Sequence, residues 1–182
     1  MGWTFLMDMD GVLTNEEHLV PGADEFIAEL RNNDIPFSVL TNNSIRTPRD
    51  LRARLLRTGL DVPEESIWTS ALATARFLES QRPEGTAYVV GESGLTTALH
   101  EIGYVITDSD PDYVVLGETR TYSFEAITTA IRLIDRGSRF IATNRERPVP
   151  VMANFLAASM ASVPLLHRNT RSRPCGSTPT SS

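Results

Sequence analysis

Apolar runs of strand length alternate with segments of helical period through residues 3–146, and this alternation constrains the fold more than any other feature. "WTFLM" at 3–7 is a strand-length run that breaks into Asp8, Asp10 and Gly11. "PGADEFIAELRNN" follows with Phe26, Ile27 and Leu30 at helical spacing, Pro21 suited to its first turn and an Asn pair at its end. "IPFSVLT" is a second strand. Thr47-Pro48-Arg49-Asp50 then spells a helix start, with Thr47 as N-cap, Pro48 at the first position and Asp50 placed to reach back as in a capping box. Leu51, Leu55 and Leu56 supply that helix's apolar face, and Gly59 ends it. "SIW" is a short third strand before the helix "SALATARFLESQ". Strand alternating with helix in this way predicts right-handed β-α-β units around a parallel sheet.

The middle of the chain repeats the pattern: "AYVVG", "SGLTTALHEIG", "YVVLG", "SFEAITTAIRLIDRG" and "RFIATN". Periodicity alone fits either a continuation of the same sheet or a second α/β unit. After about Arg147 the register changes to an apolar patch and then a Ser/Thr/Pro/Arg tail without helix or strand period, the composition of a disordered segment. The apolar stretch 149–166 is interrupted by Pro150 and Pro164 and falls short of the roughly 20 residues a membrane span needs. With one cysteine, Cys175, there is no internal disulfide framework. A net charge of −6 excludes nucleic acid as a bulk electrostatic partner. No secretory signal pattern opens the chain, so the expected location is the cytoplasm, with no membrane partner.

Asp8 and Asp10 carry the chemistry. Residues i and i+2 of an extended chain project to one side, which brings both carboxylates to the carboxyl end of the first strand, where open α/β sheets keep their ligand crevices. Two carboxylates so close repel each other, and a hard divalent cation such as Mg²⁺ relieves the repulsion. One carboxylate can then attack phosphorus while the other moves the proton. A plain polar turn is the competing reading of Asp-x-Asp-Gly. A calcium loop is excluded, because Val12 and Leu13 stand where such a loop needs an oxygen ligand and a glycine. The second strand ends in Thr41, Asn42 and Asn43, a hydroxyl and two amides able to hold phosphate oxygens at the same sheet edge.

"DMDGVL" followed by "VLTNNS" resembles motifs I and II of the haloacid dehalogenase superfamily phosphatases. The likeness continues through "TSALATARFL", "AYVVGESGL", "PDYVVLGETRTYSFEAI" and "GSRFIATN", a run similar to the NagD-type sugar and nucleotide phosphatases with a class IIA cap. It implies a Rossmann-like parallel-sheet α/β core, incomplete in this chain, with an inserted α/β cap. Residues 1–70 would be the first part of the core and 71–147 the cap. Residues 148–182 would be a tail outside the family. The resemblance makes Asp8 the nucleophile, Asp10 the general acid/base, and Thr41 the phosphate ligand with Asn42 and Asn43 beside it. Mg²⁺ would sit on Asp8 and Asp10. The implied activity is hydrolysis of small phosphorylated metabolites, sugar phosphates or nucleotide monophosphates, through an aspartyl-phosphate. Asp10 speaks against a dehalogenase of the same superfamily, and the cap against a mutase.

The family pattern also has a motif III lysine and a motif IV Gly-Asp segment after the cap. All 17 basic residues here are arginine, and no side-chain carboxylate follows Glu146. The alternative expectation is therefore a truncated or frame-shifted, catalytically inactive remnant, so that the chain's standing as an enzyme stays open at this point. Strand 1 would then be a sheet edge, prone to pair with another chain as an oligomer.

Overall fold

The computed structural model describes residues 3–15 and 18–144. Its first sheet holds three parallel strands in the order β1-β4-β5, formed by Phe5–Asp8, Phe37–Thr41 and Ile67–Thr69. Met7, Val39 and Ile67 are in register across them and face one way. They are buried against Ile27 and Leu30 of helix α1 (Ala23–Asn32) and Leu51 and Leu55 of helix α2 (Pro48–Arg57). Two two-residue strands, β2 (Thr14–Asn15) and β3 (His18–Leu19), make a small antiparallel ribbon beyond β1.

A second sheet stands apart, in the order β7-β6-β8-β9, from Val105–Ile106, Thr86–Val90, Tyr113–Leu116 and Arg139–Ala142. All its pairings are parallel. Helices α3 (Ser70–Gln81) and α4 (Ser93–Glu101) share one buried cluster with it, including Leu78, Leu95 and Leu99. Helix α5 (Phe124–Asp135) packs on Val90 and Val114 through Ile127 and Leu133. The middle of the chain thus builds a sheet of its own and does not extend the first one.

Local signals behave as their chemistry demands, with two exceptions. The Thr47 hydroxyl accepts the Asp50 N–H at 3.2 Å, and the Asp50 carboxylate accepts the Thr47 N–H at 3.3 Å, completing the capping box. Helix α1 begins later than expected: Gly22, at φ 85°, is its N-cap, and Pro21 precedes it. Phe26 and Leu56, expected on apolar helix faces, are 41% and 45% exposed. Phe26 instead meets Phe5 edge-on, ring centroids 5.6 Å apart. The tail expected for 148–182 lies outside the described residues. Among the described residues, no helix is long and apolar enough to cross a membrane.

Candidate active site

The site begins where β1 ends. Met7 and Met9 are buried while Asp8 and Asp10 are exposed, the alternation that a strand leaving the sheet imposes. The Met9 N–H still donates to the Leu40 carbonyl at 2.9 Å, which prolongs the ladder by one bond. The chain then turns sharply. The Leu13 and Thr14 N–H groups both donate to the Met9 carbonyl, at 3.1 and 3.0 Å, and Gly11 N–H donates to the Thr14 carbonyl at 2.7 Å. Gly11 sits at φ +83°, a conformation that costs any residue with a Cβ. That turn carries Asp10 toward the end of the neighbouring strand.

There the Thr41 hydroxyl donates to the Asp10 carboxylate at 3.3 Å. Thr41 is the last residue of β4 and is 6% exposed, so its hydroxyl has few choices of direction. The Asn43 N–H donates to the same hydroxyl oxygen at 3.2 Å, which aims the hydroxyl proton at Asp10. The Asn43 side-chain carbonyl in turn accepts the N–H groups of Ile45 at 3.1 Å and Arg46 at 2.9 Å, an Asx turn that freezes the loop. Asn42 stays exposed at the rim, its carbonyl accepting the Ser70 hydroxyl at 2.7 Å. Asp8, Thr41 and Asn42 open on a shared cavity of about 850 Å³, walled farther out by Trp68, Phe77 and Phe140. That volume lies in the range of small-molecule clefts, roughly 300–1,000 Å³.

The five residues singled out from sequence therefore gather at one sheet edge, in two different capacities. Asp8, Asp10 and Thr41 present oxygen atoms, whereas the Asn43 side chain is spent on the backbone. Asp8 and Asp10 offer hard oxygen donors suited to a divalent cation. Among the described residues, no group of three or more His, Cys, Asp or Glu side chains assembles.

Two residues that no local pattern singles out join the sheets just behind the site. Ser44, fully buried, accepts the Glu118 N–H at 2.8 Å from 74 positions along the chain. The Ile45 carbonyl accepts the Gly94 N–H at 2.9 Å. A Cβ on Gly94 would fall 2.6 Å from the Arg46 carbonyl oxygen, so the two backbones can approach only because the residue is glycine. The loop after β4 is both the wall of the site and the clasp of the second unit.

Comparison with known proteins agrees with this arrangement. A family model described as haloacid dehalogenase-like hydrolase matches residues 5–105. A dihydroxyacetone phosphatase from Corynebacterium glutamicum is 59% identical over 171 residues, covering 94% of this chain and 62% of that protein, so the likeness reaches beyond residue 147. The ribonucleotide monophosphatase NagD of Escherichia coli K12 is 44% identical over 140 residues, 76% of this chain and 55% of its own length. The solved structure of NagD from E. coli K-12 superposes with a TM-score of 0.77 at 38% identity, covering 88% of this chain and 65% of that one. The chain thus spans somewhat over half the length of these curated relatives, and the remnant reading finds no support in the matches. With the fold, the strand-end carboxylates and the family match in agreement, the chain belongs to the haloacid dehalogenase-like hydrolases.

Proposed function

We propose that this protein hydrolyses phosphomonoesters of small metabolites in a Mg²⁺-dependent reaction through an aspartyl-phosphate on Asp8. The observation that carries the reading is the Thr41 hydroxyl donating to Asp10 beside the cavity that Asp8 enters. A carboxylate pair without a hydroxyl fits a plain metal or turn site. A buried hydroxyl next to it adds a group that can turn to a phosphate oxygen.

In the first step an Asp8 carboxylate oxygen attacks phosphorus and the bond to the ester oxygen breaks, while Asp10, as the carboxylic acid, gives its proton to the leaving oxygen. Asp10 is then a carboxylate and takes a proton from water, which attacks the phosphorus of the acyl-phosphate. Inorganic phosphate leaves and Asp8 is regenerated. Thr41 holds a phosphate oxygen, and Asn43 keeps the Thr41 oxygen in place through its backbone N–H. The Asp8 carboxylate and the Asp10 backbone carbonyl would hold Mg²⁺, which offsets the charge of phosphate facing two acids.

In this reading residues 1–70 belong to the core and 71–147 to a cap, and the enzyme works in the cytoplasm. The relatives, a dihydroxyacetone phosphatase and a ribonucleotide monophosphatase, support a sugar phosphate or nucleotide monophosphate as substrate. Hydrolysis of p-nitrophenyl phosphate tests the reading. Turnover that requires Mg²⁺ and disappears in Asp8→Asn is expected, and equal rates in the two proteins would overturn it.

A further inference from the structure

The first sheet is parallel throughout, and among the described residues only one of its faces is buried. Val39 and Ile67 are 0% and 2% exposed beneath α1 and α2, whereas Leu6 is 70% exposed and Leu40 and Trp68 are each 41% exposed. Those three side chains share the opposite face. Leu40 is in register with Asp8 on one side and Trp68 on the other, and Leu6 lies two residues before Asp8. None of the three belongs to a buried cluster among the described residues. All-parallel sheets occur almost only with both faces covered, because large apolar side chains on the second face gain as much from leaving water as those on the first. Phe77 of α3 and Phe140 of β9 line one cavity with Leu40 and Trp68, so the apolar surface continues beyond the sheet.

The chain carries an occupant of matching chemistry. Residues 148–166 contain no charged side chain and include Met152, Phe155, Leu156 and Met160. The Ser/Thr/Pro/Arg stretch that follows, 167–182, lacks large apolar side chains. The described chain runs to Asn144, and Thr143 lines the same cavity as Leu40 and Trp68, so the segment starts beside the open face. The steps from Asn144 to Val149 reach up to about 17 Å, against roughly 10 Å between the outer strands of a three-stranded sheet. A tether that short holds the segment at an effective concentration on the order of millimolar. A second copy of the chain would instead have to come from solution, against the repulsion between molecules of net charge −6.

We propose that the uncharged segment 149–166 docks on the open face of the first sheet, over Leu6, Leu40 and Trp68. The proposal does not depend on catalysis at Asp8. Acrylamide quenching of the full chain carrying Trp3→Phe tests it, since Trp68 is then the one tryptophan left. Trp68 should be shielded, and the triple variant M152S/F155S/L156S should raise its quenching severalfold and shift its emission to the red. Dilution of the parent chain should leave its quenching unchanged. If circular dichroism shows the triple variant unfolded, photocross-linking decides instead, with p-benzoylphenylalanine in place of Trp68 in the otherwise unaltered full chain. Mass spectrometry of mixed isotope-labelled and unlabelled chains should then find cross-links from position 68 to residues 149–166 of the same chain. Equal quenching in the parent and a folded triple variant, cross-links between two chains, or cross-links that avoid 149–166 would each overturn the proposal.

Discussion

Thr41 and Asp10 are joined by a hydrogen bond of 3.3 Å that ties the end of β4 to the turn after β1. The bond sets the direction of a nearly buried hydroxyl that lines the cavity and holds the exposed Asp10 carboxylate beside it. Thr41→Val keeps the shape and removes the hydroxyl. It should lower kcat/KM for p-nitrophenyl phosphate by about 10²-fold, the cost of losing one preorganised donor, and cost about 1 kcal/mol of stability because the Asn43 N–H loses its acceptor. Steady-state kinetics with matched melting curves would check it.

Asn43 acts through the backbone it holds. In Asn43→Ala the N–H groups of Ile45 and Arg46 lose their acceptor, and the variant should be less stable by about 1–2 kcal/mol. Asn43→Asp keeps an acceptor oxygen in the same place and should recover most of that loss. Urea unfolding of the three proteins separates this role from direct contact with substrate, which the aspartate would disturb by its charge.

Gly94 offers a test of the clasp between the units. Gly94→Ala would press a methyl group against the Arg46 backbone at 2.6 Å, where nothing can rotate away, and should cost about 1–3 kcal/mol. Gly117→Ala would meet a Leu95 methyl at 2.7 Å, the end of a flexible side chain, and should cost less. Thermal denaturation of the two variants side by side gives the comparison.

Much of this architecture can be read from local sequence, because much of it rests on local forces. The Thr47–Asp50 capping box is written in four consecutive residues and forms as written. Asp8 and Asp10 fall on the exposed side because a strand alternates. Helical period, by contrast, says which residues share a face and not how wide the buried stripe is, so Phe26 and Leu56 sit at its rim. Strands of two residues such as β2, β3 and β7 carry too few positions to show a period. Ser44 and Gly94 matter only through partners far along the chain, and such contacts leave no local mark.

The central claim is that Asp8 becomes phosphorylated during turnover. Acid-quenching the full chain during steady-state hydrolysis with Mg²⁺, followed by mass spectrometry of the N-terminal peptides, reads this directly. An Asp10→Asn variant should slow release of the intermediate and let it accumulate. The account predicts a phosphoryl group on Asp8 that is absent from Asp8→Asn. Turnover with no phosphoryl group on Asp8, or with the group on another residue, would contradict it.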